Sequence, residues 1–192
     1  MELAKKYCTG NGLEIGGGSN NPFPGITAKN VDLGDASWEF YKQEQIKLTG
    51  TFLPIDIKAN GDNIPVPNNS QDFVLNSHVL EHFENPIKVL IEWDRVIKIN
   101  GIIFMIVPHK MRTFDRENPR TKLADLVRRW INKIENNDHS KHFNFWITQD
   151  LIDLITWMNA NKMINWEMVD TEDMDSKVGN GFTIVCRKRG NK

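Results

Sequence analysis

Apolar and polar positions change their period several times along the chain, and each change predicts an element. Leu13 and Ile15 within 12–16 mark a short buried strand, and KNVDL (29–33) marks a second that ends in Asp32. SWEFYKQEQIK (37–47) is a polar helix candidate with Ser37 as its cap. TFLPIDI (51–57) and DFVLNS (72–77) are expected as strands three and four. Over 86–98, Val89, Trp93, Val96 and Ile97 recur at i, i+4, i+7 and i+8, one helical stripe for a core. Asn100-Gly101, tolerant of left-handed backbone, is expected to stop that helix. GIIFMIVP (101–108) is an apolar run rich in β-branched residues, as in a strand buried on both faces. Thr148 is expected to cap a further helix carrying Leu151, Ile152, Ile155 and Met158. INWEMVD (164–170) and GFTIVCR (181–187) close the series as strands.

Strands alternating with helices imply a mostly parallel sheet covered on both sides. The polar connection 171–180 is too short for a crossover and suits a hairpin. The expected fold class is therefore α/β: a Rossmann-like, doubly wound, seven-stranded, mostly parallel sheet with its last strand antiparallel. A chain of 192 residues can bury one full core, so 1–192 is read as a single domain. Residues 109–147 fit no sheet element and are expected to form a substrate-covering insertion with a helix around 121–135. Only eleven residues precede strand one, so no N-terminal cap domain is expected and the covering falls to this insertion. A connection so long is usually functional rather than idle.

Charge narrows the partners. Basic and acidic side chains nearly cancel, 24 against 25, which removes the electrostatic signature of a nucleic-acid partner. No run is long and apolar enough for a membrane span, and MELAKKYCTG has no apolar signal core. Cys8 and Cys186, at opposite ends, read as two reduced thiols of a cytoplasmic protein.

LEIGGGSN (13–20) holds the sharpest local chemistry. Gly16, Gly17 and Gly18 directly follow strand one, at the carboxyl end where ligands of open parallel sheets bind. Bare main chain there lets a ligand approach closely and lets amide N–H groups point at it. The dinucleotide pattern G-x-G-x-x-G fails at Asn21, and no G-K-[ST] follows, which excludes a nucleoside triphosphate loop by pattern. Pro22 and Pro24 argue against a long helix aimed at a pyrophosphate, so a ligand without phosphates fits better. Asp32, 18 positions after Glu14, can accept hydrogen bonds from both hydroxyls of a ribose.

These residues resemble motif I, E/D-x-G-x-G, of the class I S-adenosylmethionine-dependent methyltransferases. IPVPNNSQDFVLNSHVLEHFENP (64–86) with EWDRVIKINGIIFMIVP (92–108) is similar to the middle of their small-molecule branch, where LPF-D-x-S-F-D, H-x-L-E-H and R-V-L-K-P-G-G are usual. Asn100-Gly101 stands where that branch has Gly-Gly, and Pro22 and Pro24 shorten the first helix. The resemblance implies S-adenosylmethionine as cofactor and S-adenosylhomocysteine as product. It implies that Glu14, Gly16, Gly17 and Gly18 hold the amino-acid end, and Asp32 with Leu33 the ribose. Asp56 and Ile57 would lie near the adenine, with Asp62 as an alternative acid. Asn76, Ser77 and His78 would border the sulfonium and the methyl.

Methyl transfer is an in-line displacement from a good, neutral leaving group, so alignment supplies much of the catalysis, and an alcohol acceptor also needs a base. Strand ends four and five select His78 and His109, with Arg112 and Asp115 beyond, as catalytic candidates. His82 is expected to be structural. His139 and His142 are spaced for a metal but have no Cys or third ligand beside them, so no metal is expected. Nine Lys or Arg against five Asp or Glu in 109–147, and the bidentate reach of Arg112, suggest an anionic or hydroxyl-rich acceptor. VPHKMRTFDRENPRT (107–121) resembles a signature of small methyltransferases of bacterial surface-glycan biosynthesis. Neither N-P-P-Y nor D-P-P-Y follows strand four, and no Pro-Cys pair exists, which argues against amino-methylation of adenine or glutamine and against cytosine-carbon chemistry. The expected activity is methyl transfer to a small molecule or sugar, on oxygen. The alternatives are a binding or regulatory module without turnover and a nicotinamide-dependent oxidoreductase, the latter disfavoured by Asn21.

Overall fold

The apolar runs assemble side by side. In the computed structural model, whose described residues are 1–19, 23–136, 138 and 140–190, seven strands form one sheet. Helix α1 (Glu2–Tyr7), which the apolar pattern does not announce, precedes β1 (Gly12–Ile15), β2 (Ala28–Asp32), α2 (Ala36–Thr49), β3 (Ile57–Lys58) and β4 (Gln71–Ser77). Then come α3 (Pro86–Val96), β5 (Ile97–Pro108), α4 (Leu123–Ile131), α5 (Thr148–Ala160), β6 (Trp166–Glu172) and β7 (Gly181–Lys188). The strand order is β3-β2-β1-β4-β5-β7-β6. The first five strands pair in parallel, and β7 runs antiparallel to both its neighbours. The expected seven-stranded α/β sheet with a reversed last strand is thus the observed one. Strand order reverses between β1 and β4, the point at which open sheets form a ligand crevice.

Both faces of the central strands are buried. On one face Val74, Ile103 and Met105 pack with Leu90 and Trp93 of α3 and Leu154 and Met158 of α5. On the other, Phe73, Leu75 and Phe104 pack with Ala4 of α1 and with Phe23, whose ring stands edge-on to Phe104 at 6.0 Å. Each fully buried large apolar side chain contributes about 1.5–3 kcal/mol of transfer free energy. Cys8 and Cys186 lie unpaired in these layers, and burial pushes both thiols up to about 12. Among the described residues, no helix is long and apolar enough to cross a membrane.

Several local expectations are corrected. The run 51–57 contributes only Ile57 to β3, because Pro54 cannot donate to a ladder; Asp56 still reaches β2 through its N–H, 2.9 Å from Asn30 O. The helix expected over 86–98 ends at Val96, and the chain passes straight into β5. Asn100-Gly101 therefore stops no helix. It forms an irregularity inside β5, where the ladder to β4 slips between Gln71 and Phe73. Asn100 has φ +68 there, and a Cβ on Gly101 would stand 2.9 Å from Asp72 O. Ser37 is not the cap of α2, which starts one residue earlier; Asp35 accepts from Trp38 N–H at 3.1 Å, and the Ser37 side chain lies outside the description. Thr148 lies within α5 rather than capping it. Asp150 accepts from Ile147 N–H at 2.9 Å, while the Thr148 hydroxyl donates to Asp173 at 2.6 Å. Within 109–147 the helix is shorter than 121–135, and two 3₁₀ turns, Lys110–Arg112 and Phe114–Glu117, come before it.

Candidate active site

A cavity of about 430 Å³ opens at the carboxyl ends of β1, β2 and β4. That is within the usual range for a small-molecule pocket. Of the residues singled out from the sequence, Gly16, Gly18, Asp32, Leu33 and His78 line it.

The glycine loop is shaped by contacts from both sides. Gly16 N–H donates to Val31 O at 2.8 Å and carries the β1–β2 ladder one step further. Gly16 and Gly18 then both take φ +65, the left-handed region that favours glycine. A Cβ on Gly16 would sit 2.6 Å from Val79, and one on Gly17 would sit 2.7 Å from Asn30 Oδ1. A Cβ on Gly18 would meet nothing within 4 Å and would project into open space at the cavity wall. The first two glycines answer to packing, the third to room for a ligand. Asn30 fixes the loop from β2, donating from Nδ2 to Gly18 O at 2.9 Å and to Pro54 O at 3.1 Å.

Two acids flank this loop. Asp32 accepts from Gly18 N–H at 3.3 Å and from Gly34 N–H at 3.1 Å, and burial raises its pKa above the usual carboxylate value. Glu14 lies beneath the loop, 3.1 Å from where a Gly17 Cβ would stand. It is buried, and its Oε1 has no hydrogen-bond partner among the described residues. Burial pushes its pKa up to about 7, with the Lys177 ammonium pulling the other way. An orphaned buried carboxylate oxygen and a bare glycine beside an acid suit a ligand with an ammonium end and a ribose. Lys177 itself is held down to about 8 by burial. The turn that carries it is organised by the Asp175 carboxylate, which accepts the N–H groups of Lys177, Val178, Gly179 and Gly181.

Elsewhere the lining differs from the expected set. Asp56 and Ile57 do not line the cavity; the Asp56 carboxylate turns to β2 and accepts from Asn30 N–H at 2.8 Å. Ala59, Asn60 and Gly61 take that wall instead. Trp93 holds Gly61 in place, its indole N–H donating to Gly61 O at 2.9 Å. Asp62 pairs with Lys88 at 3.0 Å. Asn76 and Ser77 stay behind the lining, at the end of β4. Asn76 Nδ2 donates to Phe104 O at 3.3 Å, while Asn76 Oδ1 and Ser77 Oγ have no partner among the described residues. Trp38 and Tyr41 close the outer wall from α2.

Of the four catalytic candidates, only His78 reaches the cavity. It has φ +57, a strained conformation for a non-glycine residue, and burial holds its pKa below the ordinary histidine value. His109 accepts from Met111 N–H at 3.3 Å and sets its ring edge-on to Phe182. Burial and the Arg112 charge lower its pKa. Arg112 is occupied by the β6–β7 connection, pairing with Asp173 at 2.6 Å and donating to the main-chain carbonyls of Asp173 and Gly181. Asp115 is buried and accepts from His142 Nδ1 at 2.7 Å and from Asn118 Nδ2 at 3.2 Å.

Sequence reasoning missed Glu81. It is fully buried, and burial pushes its pKa up to about 8. Neither of its carboxylate oxygens has a hydrogen-bond partner among the described residues. His78 Nδ1 and His82 Nε2 lie 3.8 Å from Oε1, and His142 Nε2 lies 4.0 Å from it. His82, read as structural, also lines the cavity. The L-E-H triplet right after β4 was a usable signal for Glu81 and His82. His142, some sixty residues on, stood out only for its spacing from His139, which lies outside the described residues, and nothing in the sequence tied it to Glu81.

Comparison with known proteins agrees with this architecture. Residues 13–105 match the family described as Methyltransferase domain. An uncharacterized protein of Methanocaldococcus jannaschii is 26% identical over 199 residues, covering 98% of this chain and 87% of that one. A solved protein of Pyrococcus horikoshii OT3 has the same fold at TM-score 0.61 and 16% identity, over 98% of this chain and 86% of its own. A SAM-dependent methyltransferase of Methanosarcina mazei gives 0.59 at 15%, over 100% and 99%. The [4+2]-cyclase SpnF gives 0.60 at 13%, over 99% and 79%. The family match runs from β1 through most of β5, the part of the sheet that builds the cavity. Residues 13–105 thus match a methyltransferase domain within a sheet that has the fold of S-adenosylmethionine-dependent methyltransferases, and S-adenosylmethionine is the methyl donor that this match implies.

Proposed function

We propose that this enzyme methylates an oxygen of a small-molecule or saccharide acceptor, and that 109–147 helps to cover that acceptor. The observation that carries the reading is one cavity shared by bare Gly18, Asp32 and His78, with Glu14 beneath its loop. In this reading Glu14 meets the cofactor's ammonium, the loop amides its carboxylate, and Asp32 its ribose hydroxyls. Ala59, Asn60 and Gly61 flank the adenine, in place of Asp56 and Ile57. S-adenosylmethionine supplies a methyl on a positively charged sulfur, with a neutral thioether as leaving group. His78, at the end of β4, receives the acceptor's hydroxyl proton as the new oxygen–carbon bond forms and the sulfur–carbon bond breaks. The walls hold acceptor and methyl in line and keep water out. Ser140, which also lines the cavity, supports a covering role for 109–147.

Calorimetry with S-adenosylhomocysteine tests the cofactor assignment, and absence of heat with folded protein at millimolar ligand overturns it. Radiolabelled methyl incorporation in cell extract, followed by the mass of the labelled species, tests the acceptor. A labelled protein or nucleic acid would refute the small-molecule reading. A second reading, binding without turnover, draws on His109, Arg112 and Asp115 standing away from the cavity; label in any acceptor removes it.

A further inference from the structure

We propose that Glu81, His82 and His142 form a binding site for a divalent transition cation of the zinc class, through one carboxylate oxygen and two imidazole Nε2 atoms. The three ligand atoms lie within 4.8 Å of one another. A tetrahedral zinc ion with bonds of about 2.0–2.1 Å sets its ligand atoms about 3.3 Å apart. The observed 3.8 and 4.0 Å to Glu81 Oε1 therefore need only a small closure, within reach of ring rotation.

Two observations point to a cation here. Glu81 is fully buried with both oxygens unpartnered among the described residues, a placement that is costly for a carboxylate alone. Each histidine has its Nδ1 placed against an acceptor. That of His82 lies 3.0 Å from Lys141 O, and that of His142 lies 2.7 Å from Asp115 Oδ2. An N–H at Nδ1 leaves the Nε2 lone pair toward Glu81, which is how protein ligands of zinc are usually oriented. Asp115 is itself buried and tied to Asn118, so the His142 ring is anchored from behind.

Two imidazoles and one carboxylate are donors that zinc accepts readily, and three protein ligands leave a position for water or a substrate oxygen. His82 also lines the cavity, so the site borders the proposed methyl-transfer chamber. The ion would clip 109–147 to the turn after β4, where Phe143 N–H already donates to Glu81 O at 2.8 Å. The proposal does not depend on the acceptor assigned above.

The test uses the full chain, stripped with chelator and titrated with Co²⁺, whose visible absorption reports its donors, with Zn²⁺ as competitor. The expected result is one equivalent of Co²⁺ per chain, displaced by Zn²⁺, and a thermal midpoint that rises with metal. Glu81→Gln and His142→Ala should abolish uptake, and Asp115→Asn should weaken it about 10–100-fold. Glu81 is buried and the His142 side chain is only 14% exposed, so His82→Asn, at a side chain 26% exposed, repeats the test where folding is least disturbed. A wild-type chain that takes up no Co²⁺ overturns the proposal. So does uptake unchanged in folded His82→Asn and Glu81→Gln.

Discussion

The two sides of the cavity are built in opposite ways. On the β1–β2 side the glycine loop, Glu14 and Asp32 sit on adjacent strands, and main-chain contacts shape the wall. On the far side Glu81, His82 and His142 meet across some sixty residues, held by side chains such as Asp115. The first side is shaped by main chain with its acids turned to the loop; behind His82 on the second, the Asp115 carboxylate holds His142 in place. Substitutions should therefore cost binding on the first side and folding on the second.

The largest effect is expected on the far side. Asp115→Ala breaks a partly buried, charge-assisted hydrogen bond and should lower unfolding free energy by about 3 kcal/mol in urea titration. A loss under about 1 kcal/mol would mean that His142 is held by other means.

Glu14→Gln should do the reverse. The Glu14 pKa rises from 4.5 to about 7 on folding. Its carboxyl thus favours the folded state below pH 4.5, and that contribution is lost as pH climbs through 7. The variant should be more stable than wild type at pH 8 by about 2–3 kcal/mol and about equal at pH 4, while binding S-adenosylhomocysteine poorly. Equal thermal midpoints at pH 8 would contradict the orphaned-carboxylate account.

Asp32→Ala should weaken S-adenosylhomocysteine by about 10–100-fold, the worth of hydrogen bonds to a charged acceptor. Its midpoint in urea should move little. The smallest effect is expected for Arg112→Ala, about 1 kcal/mol of stability with cofactor affinity unchanged. A tenfold loss of affinity there would join the two sides into one.

The same contrast explains what could be read in advance. Strand periodicity and the polar 171–180 connection announced the reversed β7 and the sheet around it. The glycine triplet and Asp32 were legible because they lie within twenty residues of one another in the chain. Asp56 was misplaced because a short acid at a strand end can turn either way, and Asn30 N–H captured it. Asn100-Gly101 was recognised as a left-handed position, but a bulge and a helix stop use the same residues. Arg112 looked free for an acceptor because nothing local shows Asp173, 61 residues away, claiming it. Glu81 was passed over for a related reason: His78 and His82 flank it in sequence, but its full burial and the approach of His142, 61 residues on, are tertiary.

The Arg112 contact reaches beyond its modest energy. One guanidinium grips both ends of the β6–β7 connection, and Thr148 adds a second hold on Asp173. Amide hydrogens in 110–117 and 173–181 should then exchange with deuterium as one cooperative unit, so local opening is shared between segments far apart in the chain.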